Sequence, residues 1–355
     1  MPRKLSPGEK ISVLIPGIGA GSLGLEIGKA LRRAGGYRLI GTDIAETAFG
    51  LYGKEGFDDT YLVRSSPPQQ YAEQLLDIAL RDKVDAVAPG AEAVHRILAE
   101  KREMFERLGI LVMLNTREVI GTCADKSAVS AFLRECNIAV PDTRNVTSGR
   151  DVEGFASYPC VVKPDSMSGG SNLVFIAEDQ QEAVFLVRYL RKRGYNSTLQ
   201  QYINCLREFT VGVLSAPTGE VLGSVAMERL LDNKLSYKLR YGDRVISSGW
   251  SQGRIDNFPE VRAQAERIAT ALNSKWAMNI QGRLNEDGVF LPFDINPRHS
   301  GTTYLRALAG FNEPHLLLQH CFNHAHPPID APRSGYYLRG FDEKFVSDED
   351  MKTHG

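Results

Sequence analysis

Apolar and polar residues recur along this chain with two different periods, and the switches between them outline its elements. Residues 11–15 (ISVLI) form a continuous apolar run of the kind found in strands covered on both faces. A glycine-rich stretch, 16–24, leads into a segment with Leu23, Ile27 and Leu31 at helical spacing. A second strand, 37–43, ends in Asp43. The alternation continues with a helix over 69–81, a strand at 86–88, a helix over 93–108 and a strand at 110–114. Strands that alternate with helices predict a mostly parallel, doubly wound sheet with ligands beyond the carboxyl ends of its strands.

Further on the pattern becomes mixed. A helix begins at 124–126, carries Phe132 and Leu133, ends near Asn137 and leaves through an extended exit over 138–143. Strands follow at 158–164, 173–176, 199–203, 207–211 and 221–229, and an amphipathic helix over 258–272 shows Val261, Ala265, Ile268 and Leu272 on one face. The cation-rich segment 232–245 reads as a solvated hairpin, with a substrate-facing loop as the alternative. Strands 277–284 and 289–295 flank Asn285-Glu286-Asp287-Gly288, whose Asp-Gly pair supplies the positive φ of a tight hairpin turn. A helix over 312–322, a weakly alternating edge strand within 336–346 and a frayed tail, 347–355, complete the chain.

Composition narrows the class. A length of 355 residues predicts about two or three domains, and 43% hydrophobic residues suffice for real cores. Forty-two basic residues against 43 acidic ones leave a net charge of −1, which points to neither a nucleic-acid nor a membrane partner. The five cysteines are scattered without a CxxC pair and read as reduced thiols, mostly buried. No apolar run approaches the about 18 residues of a membrane span, and the N-terminus carries none of signal-peptide kind, so a cytoplasmic protein is expected.

The candidate chemistry gathers at strand ends. Alternation puts Asp294 and Asn296 on one face, and antiparallel pairing brings Gln281 opposite them. Such a set of oxygen ligands suits a hard cation such as Mg²⁺ that shares phosphate oxygens. Arg298, two residues on, can hold an anion beside that ion. Lys163 ends an apolar strand and is locked by Pro164, which makes it a positioned charge. The loop after it, 165–172, offers hydroxyls and free backbone N–H groups able to wrap a polyphosphate, yet no Gly-Lys-Ser/Thr opens a helix there as in a Walker A loop. Gly19-Ala20-Gly21-Ser22-Leu23-Gly24, with Asp43 downstream, matches the dinucleotide fingerprint, a pattern that any tightly packed strand–helix turn also produces. Glu92 reads equally as a ligand for a substrate ammonium group and as a first-turn acid favoured by the helix dipole. His320 and His324 have metal-ligand spacing, but without an acidic partner they and His315 and His326 read as helix-end histidines.

Asn279-Ile280-Gln281, Asp294-Ile295-Asn296-Pro297-Arg298, the Asp125-Lys126 pair followed by Asn137-Ile138-Ala139-Val140-Pro141, and the strand–Lys163-Pro164–glycine/serine loop–strand unit together resemble the ATP-grasp superfamily. The likeness is greatest to carbamoyl-phosphate synthase large subunits and related carboxylate–amine ligases, which usually carry Glu where Asp294 stands. It implies a mixed α/β and α+β ATP-grasp fold: an N-terminal doubly wound domain (1–120), a small central lid region (121–204), a C-terminal antiparallel-sheet catalytic domain (205–346) and a tail (347–355). It further implies that Lys126, Lys163 and the loop residues Ser166, Ser168, Gly169, Gly170 and Ser171 hold the ATP phosphates. The hinge Gln201-Tyr202-Ile203 would read adenine, and Glu208 would take the ribose hydroxyls. Gln281, Asp294 and Asn296 would bind Mg²⁺, with Mn²⁺ as the alternative ion, and Arg298 would steady an acylphosphate. The glycine-rich first turn would border the substrate rather than a dinucleotide. The implied reaction joins a small-molecule carboxylate to an amine through an acylphosphate, giving ADP and phosphate, with amino-acid or dipeptide ligases as the leading type. A bicarbonate-activating, carbamoyl-phosphate-synthase-like enzyme is the alternative, although large-subunit carbamoyl-phosphate synthesis uses two such halves and this chain holds one. A homodimer is compatible with either.

Overall fold

The computed structural model describes residues 8–53, 56–165, 173–205, 207–232, 234–323 and 331–354. Its first sheet is parallel, as the alternation predicts. Strands β1 (Ile11–Pro16), β2 (Tyr37–Asp43), β3 (Asp59–Leu62), β4 (Ala86–Val87) and β5 (Leu111–Val112) lie in the order β3-β2-β1-β4-β5. Helices α1 (Leu23–Ala34), α2 (Pro68–Arg81) and α3 (Glu92–Glu106) cover it, and β1 is buried along its whole length.

The glycines of the first turn answer to packing. A Cβ on Gly24 would lie 2.2 Å from the Gly17 carbonyl oxygen, and one on Gly90 would lie 2.5 Å from the Gly24 Cα. The start of α1 therefore rests directly on the turns that leave β1 and β4, with Ser22 capping it by accepting from the Leu25 N–H. Close packing accounts for the fingerprint without a dinucleotide.

Helices α4 (Arg117–Ala124) and α5 (Lys126–Glu135) lead to an antiparallel sheet of β6 (Thr143–Val146), β7 (Cys160–Pro164), β8 (Phe175–Ala177) and β9 (Ser197–Gln201), in the order β6-β9-β7-β8. Helix α6 (Gln180–Arg191) backs this sheet through Ala183, Val187 and Leu190.

The largest sheet contains β10 (Glu208–Ser215), β11 (Val221–Arg229), β14 (Gly253–Asp256), β15 (Trp276–Leu284), β16 (Phe290–Asn296) and β17 (Gly335–Tyr337), in the order β16-β15-β10-β11-β14-β17. Strands β12 (Tyr237–Tyr241) and β13 (Arg244–Ser247) form the separate hairpin expected within 232–245, and most of β12 is exposed. Helix α7 (Pro259–Ala271) packs its apolar face on β10 and β16, while α8 (Thr303–Leu308) and α9 (Glu313–Asn323) follow the hairpin β15–β16. In that hairpin Gln281 pairs with Asp294 and Asn279 with Asn296, the register that the alternation suggested.

One expectation needs correction. Residues 347–354 are not frayed. The Lys352 N–H donates to the Tyr52 hydroxyl (3.3 Å), Lys352 Nζ donates to the Thr60 carbonyl (3.1 Å) and the His354 N–H donates to Glu46 (2.9 Å). These are polar contacts between segments remote in sequence, so no local periodicity announces them. The helix-end histidines divide: His315 Nδ1 pairs with the Tyr37 hydroxyl at 2.7 Å, while His324 and His326 lie outside the described residues. Among the described residues no group of three or more His, Cys, Asp or Glu is placed to hold a metal.

Candidate active site

The three sheets surround a cleft of about 1070 Å³. Its floor is the β15–β16 hairpin, because a strand pair buried on its far side presents alternate side chains on the near one. Asp294 and Asn296 face the cleft from β16, and Gln281 does so from β15. Asn296 Nδ2 donates to Asp294 Oδ2 at 2.7 Å, and Asn296 Oδ1 accepts from Arg298 Nη2 at 3.1 Å. Gln281 Oε1 stands 3.5 Å from Arg229 Nη1.

Two lysines converge on this floor. Lys126 occupies the first position of α5, where the helix dipole disfavours a cation. Asp125 caps that turn through the N–H groups of Ser127 and Ala128, and Lys126 reaches towards Asp294, with Nζ 4.0 Å from Oδ1. Lys163 lies almost wholly buried at the end of β7, where Nζ donates to Gln200 Oε1 (2.8 Å) and the Phe293 carbonyl (3.4 Å). Burial, with Lys126 nearby, lowers its pKa to about 7, although Asp294 opposes the shift. Burial alone would raise Asp294, but Lys126 and Lys163 together hold it below the usual carboxylate range. Three charges thus share a cleft with one more cation than anion, the balance a polyphosphate would reverse.

The hinge is fixed on both sides. The Gln201 N–H donates to the Asp142 carbonyl at 2.8 Å, the Tyr202 N–H to that of Pro159 at 2.9 Å, and the Ile203 carbonyl accepts from Arg283 Nη1 at 3.2 Å. Gln201, Tyr202 and Ile203 all line the cleft. The loop that carries Ser166, Ser168, Gly169, Gly170 and Ser171 lies outside the described residues.

Glu208 is fully buried, Oε1 accepts from Arg229 Nη1 (2.8 Å) and Oε2 from Arg283 Nε (2.9 Å). The resemblance assigns Glu208 to the ribose hydroxyls; the structure lines the cleft with it and also engages both of its oxygens in a buried ion cluster. Arg229 ends β11 and Arg283 lies next to the end of β15, among polar neighbours such as Glu228 and Gln281, so nothing local in the sequence marks them as its partners. Gln200 was likewise missed as the partner of Lys163.

On the opposite side Arg298 is held at 14% side-chain exposure by Glu92 (Nε to Oε2, 2.8 Å) and by the His299 carbonyl (3.0 Å). Glu92 therefore pairs with a guanidinium across the cleft and lies below its usual pKa, Arg298 outweighing the effect of burial. One turn along α3, His95 lines the same wall with Nδ1 on the Ala91 carbonyl at 2.8 Å, and burial above all, aided by Arg298, lowers it to about 4.

Residues 207–341 match a protein-family model described as ATP-grasp in the biosynthetic pathway with Ter operon. The carbamoyl phosphate synthase large chain of Synechocystis sp. is 25% identical over 187 residues, covering 52% of this chain. This chain spans only 17% of that relative's length. The L-amino acid ligase of Bacillus licheniformis superposes with a TM-score of 0.65 at 16% identity, over 88% of this chain and 74% of the other. The biotin carboxylase domain of the Hydrogenobacter thermophilus 2-oxoglutarate carboxylase, solved with MgADP and bicarbonate, gives 0.63 at 18% identity, over 87% and 68%. Residues 207–341 thus carry an ATP-grasp match, and the relatives and solved structures to which the chain is similar support a place in the ATP-grasp superfamily. The chain's mixed architecture, a parallel sheet of five strands with antiparallel sheets of six, four and two, is the ATP-grasp fold.

Proposed function

We propose that the protein is an ATP-dependent carboxylate–amine ligase that forms an amide through an acylphosphate, with amino acids as its leading substrate class. The observation that carries this reading is the convergence of Lys126, Lys163, Asp294, Asn296 and Arg298 on one cleft. Burial and Asp294 push the Cys123 thiol up to about 12, which sets this cleft cysteine aside as a nucleophile.

Phosphoryl transfer asks a protein for alignment and charge neutralisation rather than covalent help. Lys126 and Lys163 neutralise phosphate oxygens, and the hinge 201–203 seats the adenine. A carboxylate oxygen of the substrate attacks the terminal phosphorus, and ADP leaves. An amine then attacks the acyl carbon, the C–N bond forms, and phosphate leaves with the electron pair of the broken C–O bond. Arg298 stabilises the acylphosphate and the oxyanion of the tetrahedral intermediate. Asp294 is the carboxylate that would hold Mg²⁺, and the amide oxygens of Asn296 and Gln281, which here accept from Arg298 and Arg229, would have to turn to join it, leaving phosphates to complete the shell. When bound, the ion would supply further neutralisation of the phosphate oxygens. The loop 166–171 is assigned to the phosphates on the sequence resemblance alone.

The likeness to a carbamoyl phosphate synthase and to a carboxylase solved with bicarbonate supports a second reading, bicarbonate activation. Bicarbonate-dependent phosphate release without an amine would favour it. The test of the first reading is a phosphate-release screen of amino acids, singly and in pairs, with Mg·ATP. With the best pair, Lys163→Ala and Asp294→Ala should each slow turnover by about 10²-fold or more while circular dichroism stays unchanged. Near-wild-type release from either variant would remove these residues from the site.

A further inference from the structure

The cleft extends beyond the phosphates to a second half bounded by Gly21, Gly90, Glu92, Trp250, Gly301 and Arg339. Nothing in the nucleotide chemistry requires Trp250 there. Its ring lies against the glycine-rich first turn so closely that a Cβ on Gly21 would fall 2.6 Å from Cζ2. Gly21, at φ +69°, is thus fixed by backbone conformation and by the indole together.

The ring is braced from behind. Phe341 packs on it with centroids 5.3 Å apart, and the Arg339 guanidinium lies 5.6 Å from its centroid. Arg339 Nη2 donates to Glu26 Oε2 on α1 at 3.0 Å and to the Gly301 carbonyl, and the Arg339 N–H reaches Gln252 Oε1 at 3.3 Å. Glu26 Oε2 also accepts from the Tyr304 N–H at 3.3 Å. One side chain therefore ties the first helix of the parallel-sheet domain to the loop that follows Arg298. Beyond it Lys344 donates to the Phe49 and Tyr52 carbonyls, and the bonds of Lys352 and His354 continue the fastening.

We propose that Trp250 seals the substrate half of the cleft and that Arg339 is the residue that positions it. The indole closes on the backbone of Gly21 and keeps water from the acylphosphate until the amine takes it. This rests on the ligase reading above. Water attacking the acyl carbon forms a C–O bond, breaks the C–O bond to phosphate and returns the carboxylate. Phosphate leaves with the electron pair, the protons of the water pass to phosphate and buffer, and ATP is consumed without amide.

The first readout is the ratio of phosphate released to amide formed with the best substrate pair. The wild type should give about one, the ratio of a site closed to water. Trp250→Ala and Arg339→Ala should each give a ratio several-fold higher, with the KM for ATP unchanged, and Trp250→Phe should stay near the wild type. A lost structural brace would lower both products together and leave the ratio alone. The second readout needs no substrate. The other tryptophan, Trp276, is buried at 5% exposure, so Trp276→Phe leaves Trp250 as the only emitter. Acrylamide should then quench the Arg339→Ala protein several-fold more strongly than its parent. A ratio that stays at one in both variants overturns the seal, and unchanged quenching overturns the positioning role. If no carboxylate elicits phosphate release from the wild type, the ligase reading fails instead, and the quenching result still decides whether Arg339 holds the ring. Should Trp250→Ala not fold, Arg339→Ala carries both measurements.

Discussion

At the scale of single residues, the informative group is Lys163. Its pKa of about 7 marks a cation held in an apolar strand end without a full counter-charge. In the proposed site, bound phosphate would supply that charge and restore protonation. ATP affinity should accordingly fall as pH rises above about 7, by about tenfold per unit, and binding there should take up a proton. Calorimetry between pH 6 and 9, in buffers of different ionisation heat, measures both. Affinity that is flat over this range would separate the lysine from the phosphates, and Lys163→Arg, always charged, should flatten it by design. The stability sign follows from the same shift. Below about pH 7 the lysine is charged in folded and unfolded chains alike and its burial penalty is complete, whereas from about 7 towards 10.5 the unfolded chain binds more protons and the penalty lifts. The role proposed for Arg298 falls later in the reaction. Arg298→Lys keeps the charge but loses the two-pronged geometry, so ATP binding should change little while amide formation falls by about one to three powers of ten. Parallel measurements on one preparation decide this. If both stay normal, Arg298 is only the structural partner of Glu92; if both collapse, it belongs to the nucleotide site.

At the scale of elements, what was legible in the sequence was what has a period or a punctuation mark. The β15–β16 register followed from alternation about an Asp-Gly turn, and it placed Gln281 opposite Asp294. The parallel sheet followed from strand–helix alternation. Helix α6 carries Ala183, Val187 and Leu190 at helical spacing, a period as plain in the sequence as that of the helices read from it. The cluster around Glu208 was not readable at all. Its two arginines come from β11 and β15, neighbours of β10 in space, and only the strand order brings the three together. Glu208→Gln should leave two buried guanidiniums undercompensated and cost about 3–5 kcal/mol, as when one partner of a buried pair is removed. Chemical denaturation without nucleotide measures it. A loss confined to ATP affinity, with stability intact, would instead return Glu208 to the ribose role that its segment first suggested.

At the scale of the whole molecule, the cleft is shared property. The parallel-sheet domain contributes Glu92 and Gly21, the lid sheet contributes Lys163 and the hinge, and the large sheet contributes Asp294, Asn296 and Arg298. An ion pair crosses from α3 to the loop after β16, Glu92 with Arg298, and in the proposed reaction it would turn the placing of the parallel sheet into the aim of the guanidinium. The sequence left Glu92 open between an ammonium ligand and a first-turn acid; the structure adds a third role that neither local reading contained. Glu92→Gln keeps the size and a hydrogen-bonding oxygen but removes the charge that holds the guanidinium. Because the pair is partly exposed, its loss should cost no more than about 1 kcal/mol of stability. ATP binding should be unchanged, since none of the phosphate ligands touches Glu92. Amide formation should fall by about tenfold, the smaller end of what a misaimed oxyanion donor costs, and the Arg298→Lys, Glu92→Gln double variant should be hardly worse than Arg298→Lys alone. Rates of amide formation for the two single variants and the double one close the cycle. Additive losses would mean that Glu92 acts on the substrate directly, as an ammonium ligand, and not through Arg298.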